Sequence, residues 1–249
     1  ELLTQGDIYK RFRWGIGRQD FKVVFELAKI HPFLTNLQEY ITLIEYADGL
    51  YINALKLIET GDNISAIKML RVLLDFPDFK DEVKLLLKNI EIKQQFLEAV
   101  KYDNLLIAYN LMERSSELQN TKEGLKLQEK SKKDFSKANR YAMQGDVENI
   151  EKIVKPYFKI SSKYRLLAAL FRLCYLVQIE QALRFQKTKR EIEIGIKNYI
   201  LFFGIDNKIK IFFNAFLRDY KDSKLNIDFL QKGSFEKWKP IMVVKSILE

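Results

Sequence analysis

The sequence of 249 residues contains one cysteine and one histidine, and both scarcities exclude chemistry. Cys174 alone cannot form an intramolecular disulfide, so the chain is not a disulfide scaffold, and a reducing compartment such as the cytoplasm is favoured. Because His31 is the only histidine, no histidine pair can bind a metal. No sequence pattern of a Ser-His-Asp triad surrounds it either. We expect no catalytic residue, no metal ligand and no cofactor, and therefore no enzyme.

Glycine and proline are also scarce. Only 10 Gly and 4 Pro occur, too few for an all-β fold, which must turn about every eight to twelve residues. Gly15-Ile-Gly17 lacks the third glycine and the preceding strand of a dinucleotide-binding loop, and no Walker A pattern is present. Leu, Lys, Glu, Ile and Ala dominate the periodic stretches, which is an all-α composition.

Long hydrophobic runs are absent as well. The run Leu166–Val177 is too short to span a bilayer and contains Arg172, and Ile196–Phe216 is interrupted by four charged residues. We therefore predict no membrane span in this sequence. Because the sequence begins at Glu1 rather than Met, we interpret it as a fragment or processed form and leave its localisation open, including an upstream signal or anchor.

What the sequence does contain is an internal repeat. Four aspartates, Asp20, Asp62, Asp103 and Asp146, are 42, 41 and 43 residues apart, and each precedes a short amphipathic segment, a break and a longer amphipathic segment. A period in this range predicts stacked helical hairpins, with each aspartate as the N-cap of its short helix. The long partner helices are predicted at Leu37–Thr60, Lys80–Tyr102, Lys122–Gln144 and Lys163–Lys187, after breaks at His31-Pro32, Phe76-Pro77 and Pro156.

The stretch from Ala54 to Pro77 resembles the tetratricopeptide repeat family. The small and large packing positions of that family correspond to Ala54, Leu57, Gly61, Ala66, Leu70 and Leu73, with Pro77 as the closing proline. The other repeats retain fragments, Ala138 with Gly145 and Pro156. The resemblance is to a divergent form with an enlarged repeat of about 42 residues. It implies a right-handed α-α superhelix, a solenoid of stacked helical hairpins that recognises proteins, and no particular reaction.

The predicted organisation has four parts. Residues 1–19 form a truncated repeat or cap helix, residues 20–187 four tetratricopeptide-like hairpins, and residues 188–220 a further helix pair. Residues 221–249 form an atypical C-terminal cap or linker, in which Lys237–Val244 is predicted as a strand or extended segment. Terminal units of solenoids are commonly atypical because they close the exposed core.

The third long helix carries the main candidate site. Six basic residues recur in steps of three and four and therefore share one side of a helix, while Gln128–Asp134 contains no apolar residue. One interpretation is an electrostatic track for an anionic partner, and the other is a solvated outer face without a ligand. The six residues are Lys122, Lys126, Lys130, Lys133, Lys137 and Arg140.

Two further clusters have alternative interpretations. Lys10, Arg11, Arg13 and Arg18 alternate with Phe12 and Trp14, which suits either stacking with single-stranded nucleic acid or burial of the aromatics beneath solvated arginines. Recurrent tyrosines suit either partner anchors or core residues with a surface hydroxyl. The tyrosines selected as candidate partner-binding residues are Tyr46, Tyr109 and Tyr141.

The net charge of +9 makes an anionic partner compatible with the chain. The function we predict is a non-enzymatic scaffold or adaptor that binds a peptide or partner domain on a helical-repeat surface. The alternative is a helical-repeat protein that binds RNA or DNA through its basic helix faces. The sequence indicates neither the partner nor the oligomeric state.

Overall fold

The computed structural model describes residues 4–249, and in this range the chain is all-α. Six short 3-10 turns connect or follow twelve α-helices, and no strand occurs between residues 4 and 249. The strand alternative for Lys237–Val244 is therefore wrong, because this stretch forms 3-10 turns and extended backbone. The helices are α1 Gln5–Gly17, α2 Phe21–Ile30, α3 Gln38–Thr60, α4 Asn63–Leu73, α5 Lys80–Lys101, α6 Leu105–Arg114, α7 Ser116–Gln119, α8 Lys122–Ala142, α9 Val147–Val154, α10 Tyr164–Arg184, α11 Lys189–Phe203 and α12 Asn207–Asp219.

The N-caps of the short helices follow the repeat more regularly than the aspartates do. Side chains at residues 20, 62, 104 and 146 each accept a hydrogen bond from a backbone N–H in the first turn, so successive caps are 42 residues apart. The prediction that Asp103 caps α6 is wrong, because the cap is Asn104, whose Oδ1 lies 3.3 Å from the nitrogen of Ile107. Thr188, a further 42 residues on, caps α11 in a capping box with Glu191.

Each of these caps follows a residue with positive φ. Gln19, Gly61, Asp103 and Gly145 have φ of 59°, 87°, 53° and 76°, in the left-handed region that ends many helices. At Asp103 the next amide, that of Asn104, donates to the carbonyl of Ala99 at 2.8 Å, the longer bond of a Schellman motif. Asp103 therefore occupies the glycine position of the turn, and its neighbour performs the capping.

The chain divides into two units, residues 1–95 and 96–249, and the division lies inside α5. In the first unit α1 packs against α2, and α3 packs against α4. Their apolar faces form one core with the first half of α5, and Ala54, Leu70 and Leu73 of the tetratricopeptide-like stretch are fully buried in it. The small residue Ala54 allows close approach of α3 and α4.

In the second unit α8 packs against α9, and α10 packs against α8, α11 and α12. Arg172 of α10 contacts Asp206, the cap of α12, with 2.7 Å between Nη2 and Oδ2, and Tyr199 of α11 donates to the same carboxylate. Burial raises the pKa of Asp206, but hydrogen bonds from Tyr199 and the Ile209 amide and the charge of Arg172 outweigh it, so this pKa is lowered. The network joins three helices of the unit.

The C-terminal residues after α12 pack back onto α10 and α11. Trp238 is buried and stacks on Phe171 and Phe203, with ring centroids 5.5 and 6.0 Å apart. The amide of Gly233 donates to the carbonyl of Ile200 at 2.9 Å, and this approach leaves no space for a Cβ on Gly233. This segment covers apolar surface of α10 that would otherwise be exposed.

One helix in the described range has the length and composition of a membrane span. The stretch Ser161–Arg184 has a mean hydropathy of 1.4 over 18 residues, and half of that window is buried within the protein. We expected from the run Leu166–Val177 that this stretch is too short to span a membrane. The helix is longer than that run, so its length does not exclude a span. A helix buried in the core of a soluble protein has the same composition.

Candidate partner-binding surface

The six basic residues of α8 form one exposed stripe, which we call the basic stripe: Lys122, Lys126, Lys130, Lys133, Lys137 and Arg140. At about 100° per residue they lie within an arc of about 80°, and they extend about 27 Å along the helix axis. On the opposite side α8 buries one leucine, Leu127, and otherwise small side chains, among them Ser131 and Ala138. The midsection without apolar residues is thus anchored by Ser131 rather than by a large side chain.

Most of the stripe is free of ion pairs within the described range. Lys130 Nζ lies 3.4 Å from Asp103 Oδ1, and Lys133 Nζ lies 2.7 Å from Glu129 Oε1. The hydrogen bond and charge of Lys133 lower the pKa of Glu129. Because both pairs are exposed, each contributes little to stability. The remaining four positive charges have no carboxylate within 4 Å in residues 4–249.

The corresponding face of α10 is a packing face. The left-handed residues Gly145 and Gln186, which follow α8 and α10, are 41 residues apart, so Lys126, Lys130 and Lys133 correspond to three residues of α10. These three residues, Leu167, Phe171 and Cys174, are fully buried. On the same face Gln178 and Gln181 donate to the carbonyls of Gly145 and Gln144 in the preceding turn, at 2.7 and 3.2 Å.

Within the second unit, the stripe therefore lies on the face of α8 that corresponds to the packing face of α10. A row of lysines cannot be buried against apolar side chains, because an unpaired buried ammonium group is strongly destabilising. The face stays exposed and keeps the length and outline of a helix-binding surface, but with positive charge in place of apolar contacts.

The excess positive charge belongs to the unit that carries the stripe. Residues 96–249 contain 29 Lys and Arg against 19 Asp and Glu, whereas residues 1–95 contain 13 against 14. The second unit thus has a net charge of +10 and the first unit a net charge of −1, which together give the +9 of the chain. A field of this sign attracts anionic partners at a distance and weakens with salt.

The three candidate tyrosines occupy different environments. Tyr46 is half exposed and lines a groove of about 660 Å³ in the first unit, together with Phe21 and Leu43. Tyr141 is half buried on α8, at the edge of the basic stripe. Tyr109 is buried, and its hydroxyl donates to the carbonyl of Leu127 at 2.9 Å. We therefore remove Tyr109 from the surface candidates, because it is a core residue with a satisfied hydroxyl.

At the N-terminus the aromatics of the second basic cluster are separated by burial. Phe12 is fully buried in the core of the first unit, while Trp14 is half exposed. The guanidinium of Arg18 covers the Trp14 ring at 4.3 Å, a cation–π contact that already uses this face of the ring. The alternating aromatics do not form a shared stacking platform.

The single cysteine and the single histidine lie on different helices, Cys174 buried within α10 and His31 at the end of α2. Burial raises the pKa of Cys174 to about 12, so the thiolate is not available near neutral pH. His31 follows the last turn of α2, beside Phe33. Within residues 4–249 no group of three His, Cys, Asp or Glu residues is arranged to hold a metal ion.

No protein-family model, curated protein or solved structure matches this chain.

Proposed function

We propose that the protein is a non-enzymatic interaction module, a tetratricopeptide-like right-handed solenoid that binds an acidic helical segment of a partner protein along the basic stripe. The observation that carries the proposal is the exposed line of six positive charges on a helix face that the following repeat uses for packing. The evenly spaced caps support the repeat assignment.

A helix is the shape that suits this face. α10 packs against α8 and α9, and Gln178 and Gln181 on its equivalent face contact the turn that follows α8, so this face of a repeat helix suits contact with another helical element. A partner helix about 18 residues long with Asp or Glu at every third or fourth position would place a carboxylate near each charge. Long-range attraction would steer this partner to the stripe and set its register.

The second candidate function is binding of single-stranded nucleic acid. It is favoured by the confinement of the excess positive charge to residues 96–249, since neutralisation of phosphates dominates non-specific affinity. Stacking would strengthen such binding, and the half-buried ring of Tyr141 lies at the edge of the stripe.

The proposal is tested by fluorescence anisotropy with a labelled 21-residue peptide carrying Glu at i, i+3 and i+4 positions and Ala elsewhere, and with a 20-nucleotide oligouridylate. We expect the substitutions Lys122→Glu, Lys126→Glu and Lys137→Glu together to weaken peptide binding at least about tenfold. These three residues form no ion pair with a described carboxylate, so their reversal breaks no contact of the fold.

The matched control is Lys56→Glu, Lys88→Glu and Lys93→Glu, three exposed lysines of the first unit whose reversal changes the net charge equally. Peptide binding should be retained in this control. Equal loss in both triple variants would show that only total charge matters and would refute a site on α8. Tighter binding of the oligouridylate than of the peptide, with a steep salt dependence, would support the second candidate.

A further inference from the structure

The last residues of the chain lie in a groove between α10 and α11 that recognises backbone groups. Tyr175 donates its hydroxyl to the carbonyl of Val244 at 3.0 Å, and the same oxygen accepts from the Val244 amide at 2.9 Å. Gln178 Oε1 accepts from the amide of Ile247 at 3.0 Å, and Asn198 Nδ2 donates to the Ile247 carbonyl at 3.0 Å. Three side chains thus satisfy both backbone polar groups of two residues.

The groove also selects side chains. Ile247 is fully buried, whereas Val244 is half buried. Gly195 of α11 allows the close approach of Leu248, since a Cβ built there would lie 2.8 Å from Leu248 Cδ2 and 3.3 Å from Ile179 Cγ1. The preferred ligand is therefore a peptide with a branched aliphatic residue at one position and another three residues later, with a bend between them as at Lys245.

The receptor groups are held in place by the helices themselves. Tyr175 is fully buried in α10, and burial raises the pKa of its hydroxyl, which stays protonated and able to donate. Gln178 is fixed by the hydrogen bond of its Nε2 to the carbonyl of Gly145. A preorganised site of this kind loses little conformational entropy when a ligand binds.

The bound segment, in contrast, is held through its contacts with the groove. Residues 244–249 form no backbone–backbone hydrogen bond with another part of the described chain; their polar contacts are with side chains. The groups that bind them would accept the same backbone pattern from a separate chain equally well.

We propose that the groove between α10 and α11 is a binding site for a bent peptide segment with this aliphatic pattern, and that residues 243–249 occupy it as an intramolecular ligand. The site is distinct from the basic stripe and does not depend on the function proposed for it. A partner peptide gains access when the intramolecular segment is displaced. The effective concentration of that segment near the groove sets the affinity that the partner peptide must exceed.

The test uses the full chain with Ile247→Asp, which places a carboxylate opposite an apolar pocket and releases the segment. The probe is a fluorescein-labelled peptide of residues 241–249, measured by anisotropy. We expect saturable binding to the Ile247→Asp protein and at least about tenfold weaker binding to the wild type, whose groove is occupied. A probe carrying the same Ile247→Asp change should not bind.

A receptor change identifies the groove. Tyr175→Phe in the Ile247→Asp protein removes two hydrogen bonds and should weaken probe binding about tenfold, while Tyr102→Phe, at an exposed tyrosine outside the groove, should leave it unchanged in the same background. Binding unaffected by Tyr175→Phe would overturn the proposal. A chain shortened after residue 242 is the second receptor, and if both receptors lose helical circular dichroism, or stay folded without binding the probe, the segment is an integral part of the core and the proposal is wrong.

Discussion

The turn between α5 and α6 allows a test in which two adjacent substitutions shift stability in opposite directions. Asn104→Ala removes the N-cap of α6, in which Oδ1 accepts from the Ile107 amide. Asp103→Gly places glycine at φ 53°, a conformation that favours it. If Asp103 were the cap, as its place in the aspartate series predicts, the two effects would be exchanged.

The magnitudes follow from the geometry. Loss of an Asn cap costs about 1 kcal/mol of unfolding free energy, which for a chain of this size lowers the midpoint of thermal unfolding by about 2–4 °C. Relief of the left-handed conformation by glycine stabilises by up to about 1 kcal/mol. It is offset by a few tenths of a kcal/mol from the lost exposed ion pair with Lys130. Asp103→Gly should therefore leave the midpoint unchanged or raise it.

Thermal unfolding followed by circular dichroism at 222 nm measures both changes. Because α6 lies in the unit of residues 96–249, the shift belongs to the transition of that unit. The double variant Asp103→Gly, Asn104→Asp restores the Gly-Asp pair found at Gly145 and Asp146 and should be at least as stable as the wild type. A lower midpoint for Asp103→Gly than for Asn104→Ala would refute the assignment of the cap.

Two further predictions concern titration and burial. The Asn149 amide and side chain hold the pKa of Asp146 below its ordinary value, so the stability from this cap is present above the unfolded pKa of about 3.9 and is lost as pH falls through the lower folded pKa. Asp146→Asn should therefore lose stability to urea at pH 7 and approach the wild type near pH 3; an equal deficit at both pH values would contradict this. Cys174, with its pKa raised to about 12 by burial, should react with a thiol reagent at pH 8 at least about a hundredfold more slowly in the folded than in the urea-unfolded protein, and rapid labelling of the native chain would show that α10 is not packed as described.

The helices could be predicted from the sequence because apolar periodicity and turn residues agree in each repeat. Leu37–Thr60 and Lys80–Tyr102 differ from α3 and α5 by one residue at one end. The breaks predicted at Pro32 and Pro156 coincide with 3-10 turns. Each proline lies in the first turn, where its missing N–H costs no hydrogen bond. Asp103 was misassigned because aspartate suits both a cap and a left-handed position, and only the backbone separates the two.

The candidate surface was predicted in part. Exposure of the basic stripe follows from the 3.6-residue period, and the structure places all six residues at the surface. Burial of Tyr109 was not predictable, since its partner is the carbonyl of Leu127, 18 residues away. The groove between α10 and α11 also escaped prediction, because Tyr175 and Val244 are 69 residues apart. Gly195 inside a helical pattern was the one local signal of close packing.

The equal spacing of the caps has a consequence for how such a chain can change length. Any duplication or loss that starts in one repeat and ends at the matching place in the next would join a left-handed residue to a capping residue again, as Gly145 is joined to Asp146. Gene rearrangements in steps of 42 codons therefore conserve the turn chemistry. The chain can gain or lose a helix pair in this way without a new kind of connection between its helices.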